Sequence, residues 1–363
     1  MRFPDIFSRK EAILFTPDYR LLLDVMRNVK PHRLPIYEHI ISPEIMEQIL
    51  DRKLSELEKG EDTDLREFYH HYCRFFKEMT YDAVSYEAGI VDIMPDSGAI
   101  YGGRPGPIRN REDYEKYHWR EIPERFWQKY DKHFEALCNC LPAGMKAVGG
   151  VGYGVFEISE DLVGYEYLSY MQADDPGLFA DLYDRIGELM FSIWSRFLER
   201  WGEHFAVCRM GDDLGYKTGL LVAPDTIRRF IIPQYRKLID LIHTAKKPFL
   251  WHSCGRIFEI MDDMIEAGIN AKHSNEDVIA PFDEWIELYG DRIGLLGGID
   301  MDLLCREKPD EITGIVVEDG RRFRSKAKGY ALGSGNSIPD YIPAEGYLAM
   351  IEGVKKLRNE ETV

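Results

Sequence analysis

Eight short apolar, β-rich runs alternate along this chain with longer segments at helical spacing, and that alternation limits the possible folds more than any other feature. The runs are 34–40, 83–90, 146–155, 205–212, 248–252, 269–274, 293–299 and 329–333, each ending in polar or glycine-rich residues. Between them, 176–201 and 224–245 are expected as helices with proline in the first turn, where its missing N–H leaves no bond unmade. A helix over 257–267 should stop at Gly268, and one over 282–288 at Gly290. Strands that alternate with helices call for a parallel sheet, and eight such units close most simply into a (β/α)8 TIM barrel. A doubly wound open sheet is the alternative, but no Gly-x-Gly-x-x-Gly follows the first run.

The length of 363 residues suits one such barrel with insertions, so a single domain is expected over 1–363. A helical extension over 1–32, amphipathic across 16–29, precedes it. The glycine- and proline-rich stretch 96–117 is expected as a loop over the barrel mouth. A net charge of −17 argues against nucleic acid or an anionic membrane surface as a partner, since phosphate binding needs a basic face. Neither a signal peptide nor a long apolar run is visible, and six scattered cysteines do not form a disulfide framework, so a reducing cytoplasmic location is expected. Cys73, Cys138 and Cys208 read as packed thiols, and Cys138-x-Cys140 alone is a weak metal signal.

Active sites of such barrels gather at the C-terminal ends of the strands. Those ends offer Glu38 and His39, then Glu87, then Tyr153 and Glu157, then Asp212 and Asp213. The later ones offer His252 and Cys254, then His273 and Asn275 with Glu276, then Asp300, then Asn336. Burying so many ionisable groups at one opening without a purpose would be expensive. His252 and Cys254 stand two apart and so share one face of a strand; imidazole and thiolate together suit Zn²⁺. Glu157, His273, Glu276 and Asp212 are the further donors at hand, Glu157 and His273 foremost, and the alternative is a packed thiol beside a hydrogen-bonded core histidine. Asp212, Asp213, Glu87 and Tyr153 are candidates for acid–base work. Of the two adjacent aspartates one should face the pocket, while the other caps a turn or pairs with Arg209 or Lys217; the spacing leaves open which. Glu38, His39, Asn275, Asp300 and Asn336 are candidates for holding substrate, with helix capping the other reading for Asp300.

The run from Gly211-Asp212-Asp213 to Pro224, then Arg229 to Tyr235, then Leu250-Trp251-His252-Ser253-Cys254-Gly255, resembles the uroporphyrinogen decarboxylase / cobalamin-dependent methyltransferase superfamily. Gly297-Gly298-Ile299-Asp300 and the stretch 329–333 continue the resemblance, which implies a (β/α)8 barrel. In the methyltransferase branch, the resemblance implies zinc held by the His-x-Cys pair and by a cysteine after the eighth strand, activating a thiol toward a methylated corrinoid. His252 and Cys254 match the first two positions, but the third reads Gly333-Ser334-Gly335-Asn336-Ser337, so zinc would have to recruit a carboxylate or His273. The decarboxylase branch uses arginines after the first strand and an aspartate after the second; here 35–42 has no arginine, and Glu87 stands near the aspartate's place. A ring of carboxylates would also repel a polyanionic tetrapyrrole. The resemblance therefore implies metal-assisted methyl transfer between a small methylated substrate or thiol and a corrinoid protein. A tetrapyrrole decarboxylase and a non-catalytic binding barrel are the alternatives.

Overall fold

A computed structural model describes residues 15–102, 104–276 and 278–361. Strands β1 (Val84–Gly89), β2 (Ala147–Gly152) and β3 (Phe205–Gly211) lie side by side. A small antiparallel hairpin, β4 (Gly215–Tyr216) and β5 (Gly219–Leu220), stands apart from the sheet. The sheet continues through β6 (Phe249–His252), β7 (Ala271–His273), β8 (Gly294–Ile299) and β9 (Tyr330–Ser334), all seven strands parallel. Helices run between them, including Pro176–Trp201, Phe258–Ala267 and Phe282–Tyr289 close to where the sequence places them. The fold is thus α/β with a curled parallel sheet.

The first expected strand, 34–40, does not join as a laddered strand. It meets β9 through a single parallel bridge, Ile36 to Leu332, with a second bridge from Ile41 to Ile338. Pro35 has no N–H to give to a ladder. On its other side, side chains make the connection to β1: Ser85 Oγ donates to the carbonyls of Glu38 (2.7 Å) and His39 (2.9 Å). Arg209 of β3, fully buried, reaches the same seam and donates to the His39 carbonyl (2.8 Å), Tyr37 Oη (3.1 Å), Ser85 Oγ (2.7 Å) and Glu87 Oε2 (2.7 Å). Four acceptors on two segments satisfy a charge that would otherwise be very costly to bury.

Three other boundaries differ from expectation. The third run ends at Gly152, because Tyr153 turns to φ 64° and a helix, Val155–Val163, begins two residues later. The stretch 224–245 is helical but passes through a π turn, Ile227–Ile231, before continuing as Ile232–Thr244. Gly290 keeps a helical φ of −63° rather than making a left-handed stop. A Cβ there would lie 2.6 Å from the Ile286 carbonyl, so space explains the glycine.

Inside the curl, period-two alternation stacks the side chains in layers. Val207, Leu250 and Ala271 point inward, and the next inward positions on the same strands are Arg209, His252 and His273. The apolar layer is capped from below by the helix Arg20–Met26, which inserts Leu22, Val25 and Met26 against Val148, Leu296 and Ala331. This helix is the described part of the expected extension; its residues 1–14 lie outside the described residues. The glycine-rich loop rests on the helix 155–163: Asp161 Oδ1 accepts N–H bonds from Gly98 (2.7 Å) and Ile100 (3.3 Å), and Ile108 N–H bonds to the Leu162 carbonyl (2.9 Å). Among the described residues, no helix is long and apolar enough to cross a membrane.

Removing Arg209 would strand Glu87 and the seam carbonyls, so Arg209→Leu is expected to lose about 3–5 kcal/mol in urea denaturation, or to fail to fold. Glu38 sits in the same seam, its Oε1 accepting the Ser334 N–H (2.8 Å), and burial pushes its carboxyl from 4.5 up to about 8. The folded value exceeds the unfolded one, so the contribution of the neutral carboxyl is fully present below pH about 4.5 and is lost as pH rises through about 8. Glu38→Gln, a shape match for the neutral acid, should therefore flatten stability against pH between about 5 and 8, read by denaturation at each pH.

Candidate functional site

The C-terminal ends of β6 and β7 place His252 and His273 side by side, with Nδ1 to Nδ1 at 2.8 Å. His273 Nε2 lies 3.1 Å from the Ser334 carbonyl, which can only accept, so that nitrogen carries the proton. Burial lowers His273 to about 3, so its ring is neutral and its Nδ1 presents a lone pair. His252, also held neutral by burial, must then donate through Nδ1. Its remaining lone pair, on Nε2, points toward Cys254 Sγ at 3.6 Å. The partner behind the ring thus fixes the tautomer that leaves a ligating nitrogen in front.

Cys254 lies just past β6, in a turn held by its own N–H bond to Asp213 Oδ1 (2.8 Å). The ligand atoms of Asp213, His252 and Cys254 lie within 4.8 Å of one another. Burial, with the carboxylates of Asp213 and Glu276 nearby, pushes the thiol well up, so a cation is what would favour its thiolate. Nitrogen, sulfur and oxygen donors in one cluster fit a zinc ion. A second cluster, His39, His252 and His273, is equally close, but its geometry differs. The His39 ring stacks on His252 with centroids 3.7 Å apart and planes 15° from parallel. In-plane lone pairs of stacked rings run side by side and do not converge on one ion.

The two adjacent aspartates have separate tasks. Asp212 is fully buried; its carboxylate accepts from the N–H groups of Phe156 (3.1 Å) and Glu157 (2.9 Å) and from Tyr235 Oη (2.7 Å). It caps the helix 155–163 rather than facing the opening, and burial raises it to about 7. Asp213 faces the cavity, and neither aspartate pairs with Arg209, which Glu87 holds at 2.7 Å. Glu157 falls outside both metal-competent clusters because the early helix start spends its carboxylate on the Gly154 N–H (3.2 Å). Burial, with Asp212 and Asp213 nearby, pushes that carboxyl well up. Asn275 is also turned inward: its Nδ2 donates to the Leu296 carbonyl (2.5 Å), away from the opening. Asp300 caps the helix Met301–Arg306 through the Asp302 N–H (2.9 Å) while still edging a cavity.

Two cavities meet at the strand ends. The smaller, about 370 Å³, is lined by His39, Glu87, Tyr153, Glu157, Asp213, His252 and Cys254, joined by Asp92 from the turn after β1. The larger, about 690 Å³, is lined by Lys217, Glu276, Asp300, Asp302 and Tyr341. Asn336 and Ser337 belong to both walls. Asn336 Nδ2 donates to Cys254 Sγ (3.5 Å) and to Glu276 Oε1, so the residue at the expected third-ligand position touches the thiol without being a ligand type suited to zinc.

Sequence reasoning missed Asp92, Tyr101 and Lys272. Asp92 lies three residues past the strand end, in a 3-10 turn that no periodicity announces. Tyr101, on the glycine-rich loop, bonds Tyr153 hydroxyl to hydroxyl over the opening. Lys272 is fully buried over the Trp285 ring (4.2 Å) and donates to the Ser253 carbonyl (3.4 Å), to the Ser274 carbonyl and to Asn275 Oδ1 (3.3 Å), tying the His252 and His273 turns together. A lysine inside an apolar strand was the available signal.

A methyltransferase from Methanosarcina mazei is similar in structure, with a TM-score of 0.69 at 16% identity, covering 94% of this chain and 98% of that one. A xylose isomerase-like TIM barrel protein from Mycobacterium smegmatis, in complex with magnesium, matches with a TM-score of 0.40 at 9% identity, over 90% of this chain and 98% of that one. No curated protein matches significantly. Residues 99–357, well over half of the chain, match the family described as uroporphyrinogen decarboxylase (URO-D). The chain belongs to that family.

Proposed function

We propose that this chain is a methyltransferase-like enzyme of the URO-D family, with the segment 34–41 completing a (β/α)8 barrel around a zinc site. The convergence of Asp213, His252 Nε2 and Cys254 Sγ carries the reading. Asp213 takes the place of the third ligand that the sequence lacks at Asn336. The fold likeness to a protein named as a methyltransferase supports the same branch. In this reading the enzyme moves a methyl group between a small methylated substrate or thiol and a corrinoid carried by a partner protein.

A zinc ion would supply the positive charge that activates a thiol for methyl transfer. The rest falls to the chain itself. His273 and the Ser334 carbonyl hold His252 in the ligating tautomer. The Asp213 carboxylate holds the Cys254 backbone, so the turn is shaped before any ion arrives. Glu87 is oriented by Arg209 at the cavity wall, and Tyr153 with Tyr101 covers the opening and limits water. The carboxylate-rich wall opposes a polycarboxylate substrate, which works against a tetrapyrrole decarboxylase.

Metal analysis of the purified protein should find about one zinc per chain; His252→Ala and Cys254→Ala should each weaken zinc affinity by at least the roughly 10–100-fold lost when only a residue supporting a ligand is removed. Absence of zinc, or zinc retained unchanged in Cys254→Ala, would sink the reading. The two aspartates give a second test. Asp213→Ala should lose zinc and, with both proteins metal-free, lower the urea midpoint less than Asp212→Ala, which should lose about 1–3 kcal/mol by leaving buried N–H groups unpaired. The reverse pattern would overturn the assignment.

A further inference from the structure

Cys254 lines the smaller cavity, and one hydrogen-bond donor is aimed at its sulfur. Asn336 Nδ2 lies 3.5 Å from Cys254 Sγ, and the two residues share the cavity wall. The other neighbours of the sulfur act as acceptors. His252 Nε2, at 3.6 Å, presents its lone pair, and the Ser274 hydroxyl gives its proton to the Gly335 carbonyl at 2.6 Å. It is the thiol that donates to Ser274 Oγ, at 3.8 Å. Among the described residues, then, Asn336 alone gives a hydrogen to that sulfur.

The donor is held in place from two directions. Asn336 follows a residue pinned by three bonds. The Gly335 carbonyl accepts from the Asn275 N–H (2.8 Å) and from the Ser274 hydroxyl, and the Gly335 N–H donates to the Ile299 carbonyl (2.7 Å). A Cβ at Gly335 would lie 2.8 Å from the Asn275 carbonyl, so glycine is what lets the loop sit this close to the turn after β7. Two residues beyond Asn336, the Ile338 N–H bonds to the Ile40 carbonyl (2.8 Å) and ties down the other side. Glu276 sets the direction of the amide. Its Oε1 accepts from the same Nδ2, and a carboxylate can only accept, so the nitrogen end of the amide faces it. One Nδ2 hydrogen goes to that carboxylate and leaves the other for Cys254.

We propose that Asn336 is a positioning residue that keeps Cys254 a metal ligand rather than a methyl acceptor. The proposal rests on the zinc-assisted methyl-transfer reading above and deepens it. With zinc bound, the Cys254 sulfur is a thiolate, hence a nucleophile, and it faces the cavity beside the candidate acid–base residues. Methylation of that sulfur would form an S–CH3 bond as the bond from the methyl to its carrier breaks. The product, a neutral thioether, no longer offsets the charge of the ion. A sulfur lone pair that accepts an N–H bond is less available for such an attack, because the bond weakens as negative charge leaves the sulfur. An amide at this place restrains the sulfur without itself binding the ion, and the methyl is left for the substrate or the corrinoid.

Two measurements on the full-length protein test this, with metal content read on every sample. In the zinc-loaded protein, iodoacetamide should alkylate Cys254 about three- to tenfold faster in Asn336→Ala and Asn336→Leu than in the wild type, the scale of one lost hydrogen bond. The S–C bond forms as iodide leaves with the electron pair, and peptide mass spectrometry separates Cys254 from the other cysteines. Leucine is close to asparagine in size, so it reports the loss of the donor apart from any added space. In the cobalt(II)-substituted protein, the sulfur-to-metal charge-transfer band should move to longer wavelength in both variants, because a sulfur without the N–H bond holds its electrons less tightly. A residue that only braced the loop would leave the band where it is. Both variants should keep about one metal ion per chain, since Asn336 is not a ligand. With metal in the wild type, unchanged alkylation in both variants, an unmoved band or metal lost from both variants would overturn the proposal and leave the methyl-transfer reading standing. A wild type without metal would overturn both.

Discussion

The buried guanidinium of Arg209 is the interaction on which the upper half of the molecule depends. It stands where the sheet lacks a backbone ladder, between the segment 34–41 and β1, and supplies the bonds that a strand pair would have made. Because its charge cannot be left bare, its acceptors are fixed in number and place. Glu87 is held at the wall, and the His39 carbonyl is pinned, which sets the ring of His39 over His252. A structural charge thus positions residues that the candidate chemistry uses.

Behind the opening runs a chain of neutral groups. The Ser334 carbonyl orients His273, His273 orients His252, and His252 presents one nitrogen beside a thiol and a carboxylate. Each link is a hydrogen bond whose donor is settled by the partner behind it. Lys272 closes the two turns from below through their carbonyls, and burial lowers it to about 7. The part of the site farthest from solvent is therefore tied by this chain of bonds, while Asp92, Glu157 and Asp213 at the cavity wall accept neutral hydrogen bonds and form no ion pair among the described residues.

Much of this was legible in the sequence. The two-residue spacing of His252 and Cys254, read with strand periodicity, places both at one opening, and seven of the eight expected strands are present, six of them ending close to expectation. The misreadings have specific physical causes. Tyr153 leaves the strand through a positive φ, which starts the next helix early and takes Glu157 into a cap instead of a metal cluster. Asp212 and Asp213 differ only in direction, and what separates them is a set of N–H groups on a helix 55 residues away in sequence. Arg209 looked like a partner for those aspartates because local spacing cannot show a seam built from three distant segments. Asp300 is both cap and cavity edge, so neither reading alone was complete.

The stacking of layers inside the curl has an evolutionary consequence. On β6 the residue that touches the opening, His252, and the residue that fills the interior, Leu250, are two positions apart on one strand face. Mutation can exchange a side chain at the opening, such as Asn336 in the loop after β9, while Val207, Leu250 and Ala271 below keep the apolar layer. A lineage built this way can drift from one reaction to another without first having to survive a change of scaffold.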